Sequence, residues 1–252
     1  MRARFLLCTV LSLAVWALPL GAVQAAGAKD DVARMIRLLG YGAGIHNFKN
    51  FVLRDRDAYA EKARAEFTQA LTIINGLESN PEMNSRDREA LRAIEEAVAS
   101  YRAGLDKIPE LRLKGWRIED MDRSVVVDDT AAVNGINTLR AKWNWSDFEE
   151  MEYQLGYGKA IHHFKNYVIR GHERYHTDAL ASLLAIGGLV AGQLRAGGSP
   201  EALGEIRRIA HAYQEYLGLV ERMQYLQRPT NQIDLAVKIN DGPATKALAS
   251  LR

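Results

Sequence analysis

The strongest constraint on this chain is that it contains one segment twice. Residues 40–63 read GYGAGIHNFKNFVLRDRDAYAEKA and residues 156–179 read GYGKAIHHFKNYVIRGHERYHTDA, with twelve of 24 positions identical at an offset of 116. A second block repeats at an offset of 112: DRSVVVDDTAAVNGINTLR from Asp122 to Arg140 against DLAVKINDGPATKALASLR from Asp234 to Arg252. The offset falls by four, which puts a small length difference in the turns near 79–85 and 195–199. A duplication limits the fold before anything else does, because one supersecondary plan must satisfy both copies.

Each copy reads as helices. Met35, Leu38, Tyr41, Ile45, Phe48 and Val52 recur at helical spacing between Val32 and Arg54. Ala58 to Leu77 gives a second helix, and Asn80-Pro81 breaks it. Ser85 is placed to cap a third helix running to about Leu105, which Ile108-Pro109 stops. Copy two uses Gly197-Gly198-Ser199-Pro200 at that turn. An irregular link, Leu111 to Val127, follows; its Val125-Val126-Val127 is strand-like but has nothing to pair with. Asp128-Asp129 and Asn240-Asp241 are cap signals for a fourth helix, which in copy one runs to about Trp143 and passes almost straight into the second module, opened by a Ser146–Glu149 capping box. The pattern predicts an all-α chain of two tandem four-helix-bundle-like modules, 29–143 and 146–252; a single eight-helix array is the competing arrangement.

Residues 1–26 have the form of a secretory signal peptide. Arg2 and Arg4 precede an apolar run from Phe5 to Leu20, and small residues up to Ala28 suit cleavage after Ala25 or Ala28. Export to the periplasm is the expectation. Cys8, the only cysteine, leaves with that segment, so the mature chain is expected to have no disulfide, thiolate metal site, covalently attached haem or cysteine nucleophile. Without Arg2 and Arg4, 31 basic residues face 31 acidic ones, and a net charge near zero gives no reason to expect a nucleic-acid partner. Leu180 to Ala191 is too short to span a bilayer, so no transmembrane helix is expected after either module.

The repeated polar residues carry the functional information. At about 100° per residue, Ile45, Phe48 and Val52 share one helix face, and Lys49 lies at its edge. His46, Asn50 and Arg54 stack on the adjoining flank at i, i+4 and i+8; His162, Lys165, Asn166 and Arg170 repeat the set. A lysine edging into an apolar stripe requires a partner, either a carboxylate or a bound anion. One reading ties helices together, with Lys49 on a neighbouring acid (Asp128-Asp129 and Asn240-Asp241 being the nearest candidates) and Asn50 capping an adjacent segment. The other makes Tyr41, His46, Lys49, Asn50 and Arg54, with Tyr157, His162, Lys165, Asn166 and Arg170, a binding site for a small molecule or an anion. Gly40, Gly42, Gly156 and Gly158 point to close helix approach or a kink beside the two tyrosines.

GYGxxIHxFKNxVxR followed by VxxDDxxA…L resembles an extracytoplasmic helical sensory module of bacterial membrane signalling proteins: chemoreceptors, sensor kinases and diguanylate cyclases. The resemblance implies a sensory, non-enzymatic role with a membrane signalling partner, here as a tandem without transmembrane or output domains. A structural envelope scaffold without a ligand is the alternative. A zinc hydrolase is a third reading, because His172-Glu173-Arg174-Tyr175-His176 matches HExxH. Arg174 inside the motif, Gly171 before it and the absence of both histidines from copy one argue against it, so no catalytic residue, metal or cofactor is assigned. Of the remaining candidates, His163 reads as a surface residue and His211 as a packed core-edge histidine, while Trp116, Trp143 and Trp145 read as packing at the junction between modules.

Overall fold

The structure, a computed structural model, describes residues 21–251; the segment on which most of the signal-peptide assignment rests, 1–20, lies outside the described residues. The described chain is all-α and contains no strand. The first copy comprises α1 (Gly21–Leu39), α2 (Gly44–Arg54), α3 (Asp57–Glu78), α4 (Ser85–Leu113), α5 (Ile118–Ser124) and α6 (Thr130–Arg140). The second repeats them in order as α7 (Asp147–Leu155), α8 (Ala160–Arg170), α9 (Glu173–Arg195), α10 (Pro200–Tyr225), α11 (Thr230–Ala236) and α12 (Gly242–Ser250).

Several expected boundaries move, each for a local reason. The single helix expected from Val32 to Arg54 is two, because Gly-Tyr-Gly breaks it: Gly42 and its counterpart Gly158 adopt φ of 73° and 70°, a left-handed geometry that ends a helix. Asn84 rather than Ser85 caps α4, in a reciprocal box with Asp87. Pro109 does not stop α4, which continues to Leu113 with the proline inside it. The supposedly irregular link contains α5, and Val125 is buried at the end of it. The fourth helix ends at Arg140, so a turn over 141–146 separates the copies. The Ser146–Glu149 box and the Ser199 cap with Pro200 behind it form where the sequence puts them.

Within each copy the helices pack as a bundle, but the two bundles do not stand apart. One hydrophobic cluster runs through both halves. Its centre is the pair α2 and α8, which pack on each other; α5 lies against α8, and α11 against α2. This explains why α2 is buried along its length from Gly44 to Leu53 even though His46, Asn47, Lys49 and Asn50 are polar. The reciprocal contacts follow an approximate twofold axis, with Gly40 and Gly156 facing each other across it; a Cβ on Gly40 would stand 3.5 Å from the Gly156 Cα. The ends of the central helices are closed by matching residues. Arg112 donates to the Phe51 carbonyl of α2, and Gln224 Nε2 donates to the Tyr167 carbonyl of α8 at 2.7 Å.

Among the described helices, α9 alone is long and apolar enough by composition to cross a membrane. Its stripe of Tyr175, Ala179, Leu183, Ile186 and Val190 is buried in the second bundle.

Candidate functional site

The repeated motif builds a crossed ion-pair lattice at the seam. Lys49 is 3 % exposed, and its ammonium lies 3.1 Å from Asp122 Oδ1, within its own copy. Asp122 also accepts from Arg170 Nε at 2.6 Å, across the seam. The mirror arrangement joins Lys165 to Asp234 at 3.6 Å and Arg54 to the same carboxylate through two hydrogen bonds of 2.7 and 2.9 Å. Each buried carboxylate therefore serves two cations, one from each half. Burial opposes ionisation of Asp122, but Lys49 and Arg170 hold its carboxyl below the usual range; Asp234 behaves alike beside Arg54 and Lys165. Burial pulls the Lys165 ammonium down to about 8, with Arg54 pushing the same way and Asp234 opposing. Lys49 is lowered too, by burial, against the pull of Asp122.

The lysines thus find acids, but not those the sequence suggested. Asp129 and Asp241 instead hold tyrosine hydroxyls and a histidine. Asp241 accepts from Tyr213 of its own half and Tyr41 of the other, each at 2.8 Å, and lies 3.5 Å from His46 Nε2. Asp129 accepts from Tyr101 of its own half and Tyr157 of the other, and lies 3.2 Å from His162 Nε2. Burial pushes Asp129 upward, but the bonds from His162, Tyr157 and Tyr101 more than offset it. The four tyrosine hydroxyls are pushed well above their ordinary range by burial and by the carboxylates they face. Burial lowers His46 to about 4, so its ring is neutral at pH 7. The Gly42 N–H donates to its Nδ1 at 3.3 Å, which leaves the proton on Nε2, towards Asp241. Asp128 and Asn240, the neighbours of these acids, accept from the N–H of Thr130 and Gly242 and so make the helix-opening turns.

Outside this lattice lie two clefts related by the same twofold. The first, about 710 Å³, has Tyr41, His46, Asn47, Asn50, Arg54 and Tyr59 on one wall and Lys238 to Asp241 of the other copy on the opposite wall. The second, about 510 Å³, sets His162, His163, Asn166, Arg170 and Tyr175 against Val126 to Thr130. His46, Asn50 and Arg54 reach the first cleft, and His162, Asn166 and Arg170 the second. Tyr41 lines the first cleft, whereas Tyr157 lies in the seam with Lys49 and Lys165, around a gap of about 10 Å³ that leaves no room for a ligand. Asn50 caps nothing: it is 4 % exposed and its Oδ1 has no hydrogen-bond partner, and the same holds for Asn166 at 2 %. A buried amide oxygen left unpaired is costly, and here the cost occurs twice at one position of the repeat.

Other expectations are corrected. His163 is half-buried rather than a surface residue; its Nε2 is 2.9 Å from the Gly158 carbonyl, and Asn47 makes the matching contact to Gly42 at 3.2 Å. His211 is exposed beside Glu215, not packed at the core edge. Trp143 and Trp145 pack against the core near the junction, but Trp116 is exposed at the far end of α4. The HExxH match straddles a helix start: Gly171 is left-handed, His172 precedes α9, and His176 lies 3.6 Å from Glu173 within the first turn. No group of three or more His, Cys, Asp or Glu side chains is arranged to hold a metal among the described residues.

Sequence reasoning missed Asp122 and Asp234 as the lysine partners, although each opens the second repeated block and is identical between copies. It also missed Tyr101 and Tyr213, a pair at the 112 offset. Compared with protein-family models, with curated proteins and with solved structures, the chain gives no match.

Proposed function

We propose that this protein is an exported, periplasmic, non-enzymatic ligand-binding protein of sensory type, which holds small polar molecules in the two seam clefts and acts with a membrane signalling partner. The observation that carries the reading is the unpaired amide oxygen of Asn50 and of Asn166, each buried in a cleft wall with an arginine and a tyrosine beside it. Polar groups left unsatisfied in a concave, otherwise well-packed surface are groups a ligand can satisfy. Because each cleft has one wall from each half, occupancy would change how the halves sit on each other, which is the movement a partner could read. The signalling part of the proposal rests on the resemblance of the repeated motif to sensory modules.

The test is a thermal-shift and calorimetric screen of the mature protein against small carboxylates, amines, phosphate, polyols and metal salts, repeated with Asn50→Ala/Asn166→Ala. A ligand whose binding is lost in that variant, with the melting temperature held, supports the proposal. Silence across the panel together with failure to capture any membrane receptor defeats it. A scaffold reading is favoured by one specific observation: both lysines are neutralised internally, so the lattice needs no ligand to complete it.

A further inference from the structure

We infer that the two clefts have diverged into sites of opposite charge preference, the first for small organic anions and the second for small amines; this rests on the clefts being binding sites as proposed above. The inner groups are the same in both: Arg54 and Arg170, Tyr59 and Tyr175, Asn50 and Asn166, Asp241 and Asp129. The rim is not. At equivalent places of the repeat, Lys62 of the first cleft becomes Asp178 in the second, Lys238 becomes Val126, and Asn240 becomes Asp128.

The first cleft therefore presents Lys62 and Lys238 at its rim: Arg54 is committed to Asp234, and Lys62 also donates to the Gly42 carbonyl at 2.9 Å and lies 3.8 Å from Glu66, while Asp241, like Asp129 in the second cleft, already accepts two tyrosine hydroxyls. The second presents Asp128, Asp129 and Asp178 against Arg170 and Arg174. Arg170 is committed to Asp122, and Arg174 donates to the Tyr175 hydroxyl at 2.8 Å. Lys238 and Asp178 are both exposed, and no salt bridge engages either among the described residues, although Asp178 lies close enough to act on His163. Charges at the mouth of a concave site select the sign of what enters it, and like-charge juxtaposition excludes the wrong class. Beneath each rim the unpaired Oδ1 of an asparagine can accept a hydrogen bond, from an ammonium of an amine or from the hydroxyl of a hydroxy acid. Identical floors under opposed rims are what a duplicated site would show after its copies specialised.

The experiment is an amide-shift NMR titration of the mature protein with citrate, with spermidine and with the neutral polyol sorbitol. Gly42, Asn50 and Asn240 report the first cleft, and Gly158, Asn166 and Asp128 the second. Citrate is expected to move the first set and spermidine the second. Lys62→Asp/Lys238→Val should weaken citrate about tenfold or more and leave spermidine alone; Asp178→Lys/Asp128→Asn should do the reverse. These are exposed rim positions, and unchanged melting temperatures confirm that the variants fold. Both charged probes entering one cleft, rim variants without effect, or shifts confined to amides outside the clefts each overturn the inference. Sorbitol separates the two levels: if it moves both sets while the charged probes show no preference, the clefts bind but have not diverged. If neither set moves with any of the three probes, the clefts are not binding sites and the inference falls with the reading it rests on.

Discussion

Replacing Asp122 with asparagine removes the one negative charge that two buried cations share. Lys49 and Arg170 approach it at 3.1 and 2.6 Å, and the carboxylate side chain is 1 % exposed. Asp122→Asn leaves an ammonium and a guanidinium facing each other in a poorly solvated seam, and breaking a buried pair in this way costs about 3–5 kcal/mol. For a chain of this size that corresponds to a fall in melting temperature of roughly 6–20 °C. Lys49→Met removes a cation instead. It leaves Asp122 and Arg170 as a neutral pair and substitutes an apolar chain of similar length, so its expected cost is within about 1.5 kcal/mol. The ratio of the two effects is the informative quantity. Thermal and urea unfolding followed by far-ultraviolet circular dichroism would measure both. Should Lys49→Met prove as damaging as Asp122→Asn, the shared-carboxylate account of the seam is wrong.

Further consequences can be checked in the same way. His46 titrates near 4 in the fold against an ordinary value of about 6.5. Between those values the unfolded chain holds a proton that the folded chain lacks, so its contribution is fully present above about pH 6.5 and is lost as pH falls towards 4. That loss is worth about 3 kcal/mol, and His46→Gln should narrow the gap in urea midpoint between pH 7 and pH 4.5; an unchanged gap contradicts it. Gly135 lets α6 lie on α4, with a built Cβ only 2.7 Å from the Ala90 carbonyl oxygen, so Gly135→Ala should destabilise by about 1–3 kcal/mol, measured by urea midpoint. Gly158→Ala should cost a similar amount, since it combines a φ of 70° with a Cβ placed 2.7 Å from Val133. The second copy expressed alone, 146–252, lacks the Asp122 that Arg170 needs but offers its own Asp234 to a second molecule. It should therefore be a homodimer or unfolded by light scattering and circular dichroism, and a well-folded monomer would contradict the interlock.

The duplication, the helical content and the His-Asn-Arg flank that lines each cleft were legible in the sequence, because identity between copies and a 3.6-residue period are local signals; Tyr59 and Tyr175, on the following helix, were not singled out. The break at Gly42 was only half legible: glycine permits a left-handed residue, but what requires one there is the close packing at the seam. The lysine partners were misassigned because Lys49 and Asp122 are 73 positions apart, and helical spacing on one element says nothing of which short helix will lie across it. The crossing of Arg54 and Arg170 to the opposite copy was illegible for a deeper reason. Two copies of a module can close their contacts within themselves or exchange them, and both choices use the same residues in the same order. Similarly, His163 and Asn47 looked like a divergence but make the same contact to a glycine carbonyl, an equivalence that appears only in three dimensions.

Everything assigned to the clefts depends on the two halves being one interlocked body. Residue-resolved urea unfolding by NMR addresses this directly, with amides of α3 and α4 reporting one half and those of α9 and α10 the other. A single shared midpoint is expected, with Arg54→Met lowering both halves together although it lies in only one of them. Two separate midpoints, or an Arg54→Met effect confined to the first half, would contradict the interlocked seam.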